Sequence, residues 1–500
     1  MMKTLTYKIF FILFSLSFVL LAILTCSKQG QHLWNIYIPN GWWNDEVCYY
    51  KQIEAILSFG IPKGYYGYNE SSAQLLSFGA WNPLIFLPYV IIGRLIGWTF
   101  ITPIIINLLF ISIGVVLFAR IIRIDYMQMC TIVFCIICSP VFMRYVLSCM
   151  PETIFFTGMI IVLTIAVYLD SCEKATFLLW GGSVIIAFMA VIRPYYFTLF
   201  IIPFYYAFKK DRRNLIGLFS LTVLSCSLYV FISTKLCAPY FISLVDISFM
   251  EEFKKGLLDG FANIFVQYVN GWKSILSYVW SGFTTGNEAG RYWAMFLGLW
   301  FILCVIYIKR LIKKEDKRQL LLMFIGLNIS VASAIIMLYN IYVGSRHLLA
   351  LCIAMIFLIA ISKEKYMKMV MCIFLLLLCM GIKKDEYTYN IPFSTHADTE
   401  QGKEMMKIYA KEMPLEKEVG WSNTVLWCLD AKYNTLYYLP KGLAINIHSG
   451  EEFSLQNIQS KYILTSPGGD IARICRDFKL EVILQVEDFI MFKNTYRYME

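Results

Sequence analysis

Charge is what this chain has least of. Asp, Glu, Lys and Arg make up 16% of its 500 residues, whereas 59% are hydrophobic and 17% aromatic. Soluble domains carry about 25% charged residues, so a soluble enzyme is excluded. Histidine is nearly missing, with four in all, which argues against a histidine-rich metal site. No C-x-x-C has metal-like flanks, no D-x-D occurs in the first outer loop, and there is neither an internal repeat nor a low-complexity linker. The fifteen cysteines form no framework. Cys130, Cys135, Cys138, Cys304, Cys352, Cys372 and Cys379 sit in apolar runs as small hydrophobes. Cys26, Cys48, Cys149, Cys237, Cys428 and Cys475 lie elsewhere, and their pairing stays open.

What is present is a series of long apolar windows bounded by charge, among them Trp98 to Ala119, Ile154 to Leu169, Leu215 to Ser233, Tyr292 to Ile308, Leu320 to Tyr339 and Met369 to Ile382. Several reach the length that crosses a hydrocarbon core of about 30 Å, and backbone in lipid must bond to itself, so they read as helices. Ile9 to Thr25 follows Lys3 and Lys8 without an A-x-A site, which makes it a retained signal-anchor helix.

Basic clusters recur on alternate sides of these segments: Lys3 and Lys8, Arg120 and Arg123, Lys174, Lys209 to Arg213, Lys309 to Arg318, and Lys363 to Lys368. All are cytoplasmic together if Trp81 to Leu95, interrupted by Pro83, Pro88 and Arg94, lies along the interface. The expectation is an all-α polytopic domain over 1–383 with about eleven transmembrane helices, a cytoplasmic N-terminus and a first outer loop of about 26–97. The net charge of +10 then reports orientation and implies no nucleic-acid partner. Residues 384–500 have mixed polarity and read as a small extracytoplasmic α+β domain. Its expected elements are helices at Thr399 to Glu412 and Asp470 to Phe478, strands at Thr435 to Leu439 and Lys461 to Thr465, and a strand pair from Leu480 to Phe492.

The outer surface then consists of the loop from Cys26 to about Gly97, a short turn around Cys149 to Glu152, a loop from Lys235 to Arg291 and the tail after Lys383. The first loop carries Trp43-Asn44-Asp45-Glu46-Val47-Cys48-Tyr49-Tyr50, and later Trp81-Asn82-Pro83-Leu84 and Gly93-Arg94-Leu95-Ile96-Gly97. A short turn carries Cys149-Met150-Pro151-Glu152-Thr153, and a late one Tyr342-Val343-Gly344-Ser345-Arg346-His347. In order, spacing and sidedness these pieces resemble the integral-membrane C-type glycosyltransferases (GT-C), which include protein O-mannosyltransferases and lipid A aminoarabinose transferases. The resemblance covers about residues 5–365. Asn82-Pro83 stands where the family often has Pro-Pro-Leu, and Arg193-Pro194-Tyr195-Tyr196 where relatives keep a Lys-Gly-Pro turn.

The resemblance implies transfer of a sugar from a polyprenyl-phosphate donor to an extracytoplasmic acceptor, whether cell-envelope glycan, lipid or protein. Such a sugar is already activated, because phosphate is the leaving group. A carboxylate must then accept the acceptor's proton, and a guanidinium suits the departing phosphate charge. Asp45 fits the base, Glu46 its orienter, and Glu152 a second catalytic acid. Arg346, Arg193 and Arg144 fit donor phosphate binding. No metal or cofactor is entered by default, although Asp45 and Glu152 could share a divalent cation.

Other readings fit the same residues. Asp45-Glu46 and Glu152 suit helix starts, Arg346 and Arg144 suit interfacial anchors, and Lys51 and Lys63 suit solvated surface lysines. The outer aromatics, including Trp42, Tyr49, Tyr50 and Tyr65, fit a sugar platform, a prenyl groove or an interfacial belt. A transporter or flippase of lipid-linked glycans, or an inactive envelope scaffold, is the alternative function.

Overall fold

The computed structural model describes residues 2–36, 44–60, 66–70, 82–171, 175–237, 249–285, 287–314, 318–338, 346–380, 400–413, 424–431, 433–449, 452–487 and 489–497. Trp42, Trp43, Lys63, Tyr65, Trp81, Tyr342 to Ser345 and the expected 383/384 boundary lie outside the described residues.

The first half comprises α1 (Met2–Ser15), α2 (Ser17–Lys28), α3 (Asn44–Phe59), α4 (Leu87–Ile96), α5 (Thr102–Ile122), α6 (Tyr126–Ile137), α7 (Val141–Val146), α8 (Glu152–Ser171) and α9 (Thr176–Ile192). Next come α10 (Ile201–Lys210), α11 (Asn214–Phe231), α12 (Phe249–Glu252), α13 (Leu257–Thr284), α14 (Glu288–Ile312), α15 (Arg318–Leu338), α16 (Leu349–Ile361) and α17 (Lys365–Met380).

Among the described residues five helices are long and apolar enough to cross a membrane, or six if the pair α1 and α2 is one span. That pair is bent by 59° at Leu16, so the expected anchor helix is broken in its middle. Pro83–Ile96, Tyr126–Ile137, Thr176–Ile192 and Arg346–Ile361 are apolar but shorter. Length alone therefore gives fewer spans than the expected eleven.

The bundle is organised around α8 and α16. The apolar window of α8 is 83% buried, against 17% for Asn214–Leu236 at the periphery, and Leu349 through Ala360 are buried without interruption. A helix apolar on all sides belongs inside a bundle. Small residues set the approach: a Cβ at Gly114 of α5 would lie 3.2 Å from Thr157 Cγ2 of α8. The Arg193-Pro194 break is found as expected. Helix α9 stops at Ile192, and a 3₁₀ helix, Pro194–Phe200, leads into α10, because proline offers no N–H to continue the ladder.

The tail contains α18 (Glu400–Glu412), α19 (Asp470–Asp477) and five strands: β2 (Thr424–Cys428), β3 (Ala444–His448), β4 (Tyr462–Thr465), β5 (Glu481–Gln485) and β6 (Ile490–Lys493). The strand expected at Thr435 to Leu439 is instead a 3₁₀ helix, Tyr433–Tyr438; Pro440 and the left-handed Gly442 (φ 80°) turn the chain just beyond it. A sixth strand, β1 (Tyr66–Tyr68), comes from the first outer loop. The sheet order is β1-β3-β2-β4-β6-β5, parallel from β1 to β4, with β6 antiparallel to β4 and β5.

The loop and tail are also joined by side chains. Glu70 accepts from the Gln459 and Ser460 amides, each at 3.2 Å. The Asn69 side chain exchanges two hydrogen bonds with Ser449 backbone. Lys51, expected to be solvated, is 4% exposed because its ammonium donates to Glu54 (2.6 Å) and to the Leu439 carbonyl (2.7 Å). Tyr50 lies 5.2 Å from Trp98, 5.3 Å from Phe100 and 5.2 Å from Tyr437 between ring centroids. Such pairs contribute about 0.5–1.5 kcal/mol each beyond burial.

Candidate active site

Four segments far apart in sequence bring charged side chains together at one end of the bundle. Asp45 and Glu46 lie in the first turn of α3, where free backbone amides favour acidic residues. Glu152 opens α8. Arg193 is the extended C-cap of α9, and Arg346 opens the short apolar helix Arg346–Ile361.

Arg346 Nη2 meets Asp45 Oδ2 at 3.0 Å, and its Nε is 3.5 Å from Glu152 Oε1. The same Glu152 oxygen accepts from Arg193 Nη2 at 2.8 Å. Arg193 also donates to the Tyr195 hydroxyl (3.2 Å), which is bonded to His347 Nδ1 (2.9 Å), and its guanidinium lies 4.4 Å from the Phe155 ring centroid. Carboxylates and guanidinia thus alternate as Asp45, Arg346, Glu152, Arg193. The side chains of Asp45 and Arg346 are each 21% exposed, whereas Glu152 is 1% and Arg193 8% exposed. The first pair forms the reachable mouth of the site and the second its buried floor. Burying charges is tolerable only when they are paired and hydrogen-bonded.

Glu46 faces away from this chain of charges. It is fully buried, and Oε1 accepts the Cys149 amide at 2.8 Å, anchoring the turn that leads into Glu152. Asn107 holds the same turn through the carbonyls of Ser148 (2.7 Å) and Val146 (3.1 Å), and Tyr89 bonds to Asn107 at 2.6 Å. From the other side, Asn82 Nδ2 donates to the Val191 carbonyl (2.9 Å) just ahead of Arg193. Arg144 is buried on α7, but among the described ion pairs it is not one of the guanidinia on Asp45 or Glu152. The cation between Asp45 and Glu152 is the Arg346 guanidinium, which stands where a shared divalent ion was considered; among the described residues no group of three His, Cys, Asp or Glu could hold a metal.

Several polar atoms here are buried without a hydrogen-bond partner: Glu152 Oε2, Arg346 Nε and both amide atoms of Gln52. Gln52 follows Asp45 and Tyr49 by seven and three positions on α3, the spacing of one helix face. Orphaned buried groups are rare, and a ligand or water is the usual account of them. Burial, and next the Asp45 carboxylate, raise the Tyr49 phenol well above its ordinary range, so it stays a hydrogen-bond donor. Sequence reasoning gave no role in the site to Gln52, Tyr195 or the Cys149 amide, because each acquires meaning only from a neighbour in space.

Chemically, the mouth offers a carboxylate able to accept a proton and a guanidinium able to take an oxyanion in its place. No family model matches the chain, and neither does any curated protein. Among solved structures the chain is similar to ArnT from Cupriavidus metallidurans bound to undecaprenyl phosphate, with 9% identity, 97% of each chain covered and a TM-score of 0.51. The apo state of ArnT matches with 11% identity, 95% and 97% coverage, and a TM-score of 0.42. The undecaprenyl-phosphate-bound structure shows that this chain has the ArnT fold over nearly its full length, in a multi-pass membrane protein.

Proposed function

We propose that the protein is a glycosyltransferase that moves a sugar from a polyprenyl-phosphate donor to an extracytoplasmic acceptor. The observation that carries this reading is the alternating chain Asp45, Arg346, Glu152, Arg193 running from mouth to floor of a site in an ArnT-like bundle. The undecaprenyl phosphate bound to ArnT supports a lipid-phosphate donor here.

Donor phosphate competes with Asp45 for the Arg346 guanidinium, since both are oxyanions matched to its planar fork. The released Asp45 accepts the proton of the acceptor hydroxyl or amine. The acceptor atom forms its bond to the anomeric carbon as the bond from that carbon to the phosphate oxygen breaks. The electron pair leaves with phosphate, held by Arg346, and the anomeric configuration inverts. Glu152 and Arg193 keep the Arg346 side chain aligned, and Glu46 positions the turn beneath them. No step requires a cofactor.

In the membrane we read eleven passes: the bent pair α1 and α2, then α5, α6, α8, α9, α10, α11, α14, α15, α16 and α17. Basic ends alternate along this series with the N-terminus cytoplasmic and the active site and tail outside. Residues 1–383 form the transferase domain, and 384–500 face the acceptor.

The test is transfer in detergent from a panel of radiolabelled polyprenyl-phosphate sugars by wild type, Asp45→Asn and Arg346→Ala. Transfer that both variants lose at normal expression supports the enzyme and both roles. Undiminished transfer in both removes those roles, and no transfer from any donor favours a transporter or scaffold.

A further inference from the structure

We infer that the end of the bundle opposite the Asp45 site holds a second binding site, for the phosphate headgroup of an anionic lipid. Helix α8 runs from Glu152 at one end to Ser171 at the other, and at 1.5 Å per residue this separates the two sites by about 30 Å.

A cavity of about 760 Å³ opens where α5, α8, α14 and α16 end and α15 begins. Five cations line it, Arg123, Arg310, Lys313, Lys314 and Lys363, against the single carboxylate of Asp170. Among the described residues no carboxylate lies within ion-pair distance of Arg123, Lys313, Lys314 or Lys363. The nearby Glu364 is engaged by Lys309. Two of the cations, Arg123 (φ 58°) and Lys314 (φ 54°), hold left-handed backbone conformations, which residues with a Cβ seldom adopt. Ser362, also on the lining, is 4% exposed, and its hydroxyl has no hydrogen-bond partner. Unmatched donors converging on one cavity call for an anion with several acceptor oxygens.

The walls below the cations are apolar, with Ile122, Val167, Leu320, Leu321 and Leu358 among them. A second cavity of about 610 Å³ shares Ile122, Arg123, Val167 and Ser171 with the first and continues past Leu178. A charged mouth above an apolar groove matches a headgroup joined to acyl chains better than a soluble phosphate. Basic pockets between transmembrane helices take lipid headgroups in this way.

The test uses purified full-length wild type and the variant R123Q/K313Q/K314Q/K363Q. Thermal unfolding is followed while phosphatidylglycerol, phosphatidylcholine or glycerol phosphate is titrated in detergent, and retained lipids are counted by native mass spectrometry. The expected result is a rise in Tm with phosphatidylglycerol alone, an apparent Kd at least about tenfold weaker in the variant, and fewer retained phosphatidylglycerol molecules. A rise with glycerol phosphate of the same size, also lost in the variant, would keep the phosphate site but assign it to a soluble ester. Equal binding by wild type and variant, or an equal response to phosphatidylcholine, overturns the site. The four cations are exposed at the cavity mouth, so the variant is expected to fold, and its lipid-free Tm checks this. Transfer from polyprenyl-phosphate sugar is measured alongside, and its presence or absence does not bear on the lipid count.

Discussion

The two ends of the helix bundle treat charge in opposite ways. At the Asp45 end the Arg346 and Arg193 guanidinia already have carboxylates, in the series Asp45, Arg346, Glu152, Arg193. At the far end four cations face a cavity without carboxylates within ion-pair distance among the described residues. A site that exchanges anions during turnover must tolerate being empty, and internal partners allow that, because an unpaired buried charge costs several kcal/mol. Cations left facing an open cavity remain solvated, and a resident anion adds binding without displacing an internal partner. On the two proposals made above, the difference separates a place where anions pass through from one where an anion stays.

The largest effect that would sharpen this contrast is loss of the exchanging pair. Asp45→Asn is expected to lower transfer about 10²–10⁴-fold and Arg346→Ala about 10²–10³-fold, whereas the four-glutamine variant at the far end keeps turnover within about twofold, as single-turnover rates will show. Next, Glu152→Gln leaves Arg193 buried opposite a neutral amide. A destabilisation of about 3–5 kcal/mol is expected, read from the unfolding midpoint, and a fully stable variant would mean that the Arg193 charge is satisfied elsewhere.

Lys51→Met removes a buried ammonium with two internal acceptors and is expected to cost about 1–3 kcal/mol, visible as earlier protease cleavage between loop and tail. Gln52→Leu removes two orphaned polar atoms without changing shape much, so stability should hold while donor KM rises about fivefold, the worth of one hydrogen bond. An unchanged KM would place Gln52 outside the donor site.

The smallest effect concerns pH. Burial, partly offset by the Ser460 and Gln459 bonds, raises the Glu70 carboxyl above 4.5. Its contribution to the loop-tail joint is therefore full at pH below 4.5 and falls as pH rises through the raised value. The protection factors of β3 amides, with the intrinsic pH dependence of exchange divided out, should fall over that window in wild type and not in Glu70→Gln.

Much of the architecture could be read in the sequence where a residue type forces it. Pro194 ends α9, Pro83 and Pro88 mark the α4 region, and the Asp470 to Phe478 periodicity appears as α19. The bend at Leu16 has no such residue, so the sequence reads as one helix there. Strands β2 and β3 were missed because a parallel strand covered on both faces lacks alternation: all five residues of Thr424–Cys428 are buried. The charged residues that meet at the mouth stood out because charge beside apolar helices is conspicuous. Glu46 was grouped with Asp45 by adjacency, yet successive helix positions point about 100° apart, and its partner is a backbone amide 103 residues away.

The edge strand β1 has a consequence for how the molecule is made. Its partner β3 lies more than 370 residues later in the chain, as the Glu70 amide bond to the Asn446 side chain shows with a separation of 376. At about 5–20 residues per second of synthesis, the first outer loop waits roughly 20–75 s for the strand that completes it. During that interval an exposed backbone edge stands at the membrane surface, until a segment synthesised far later closes it.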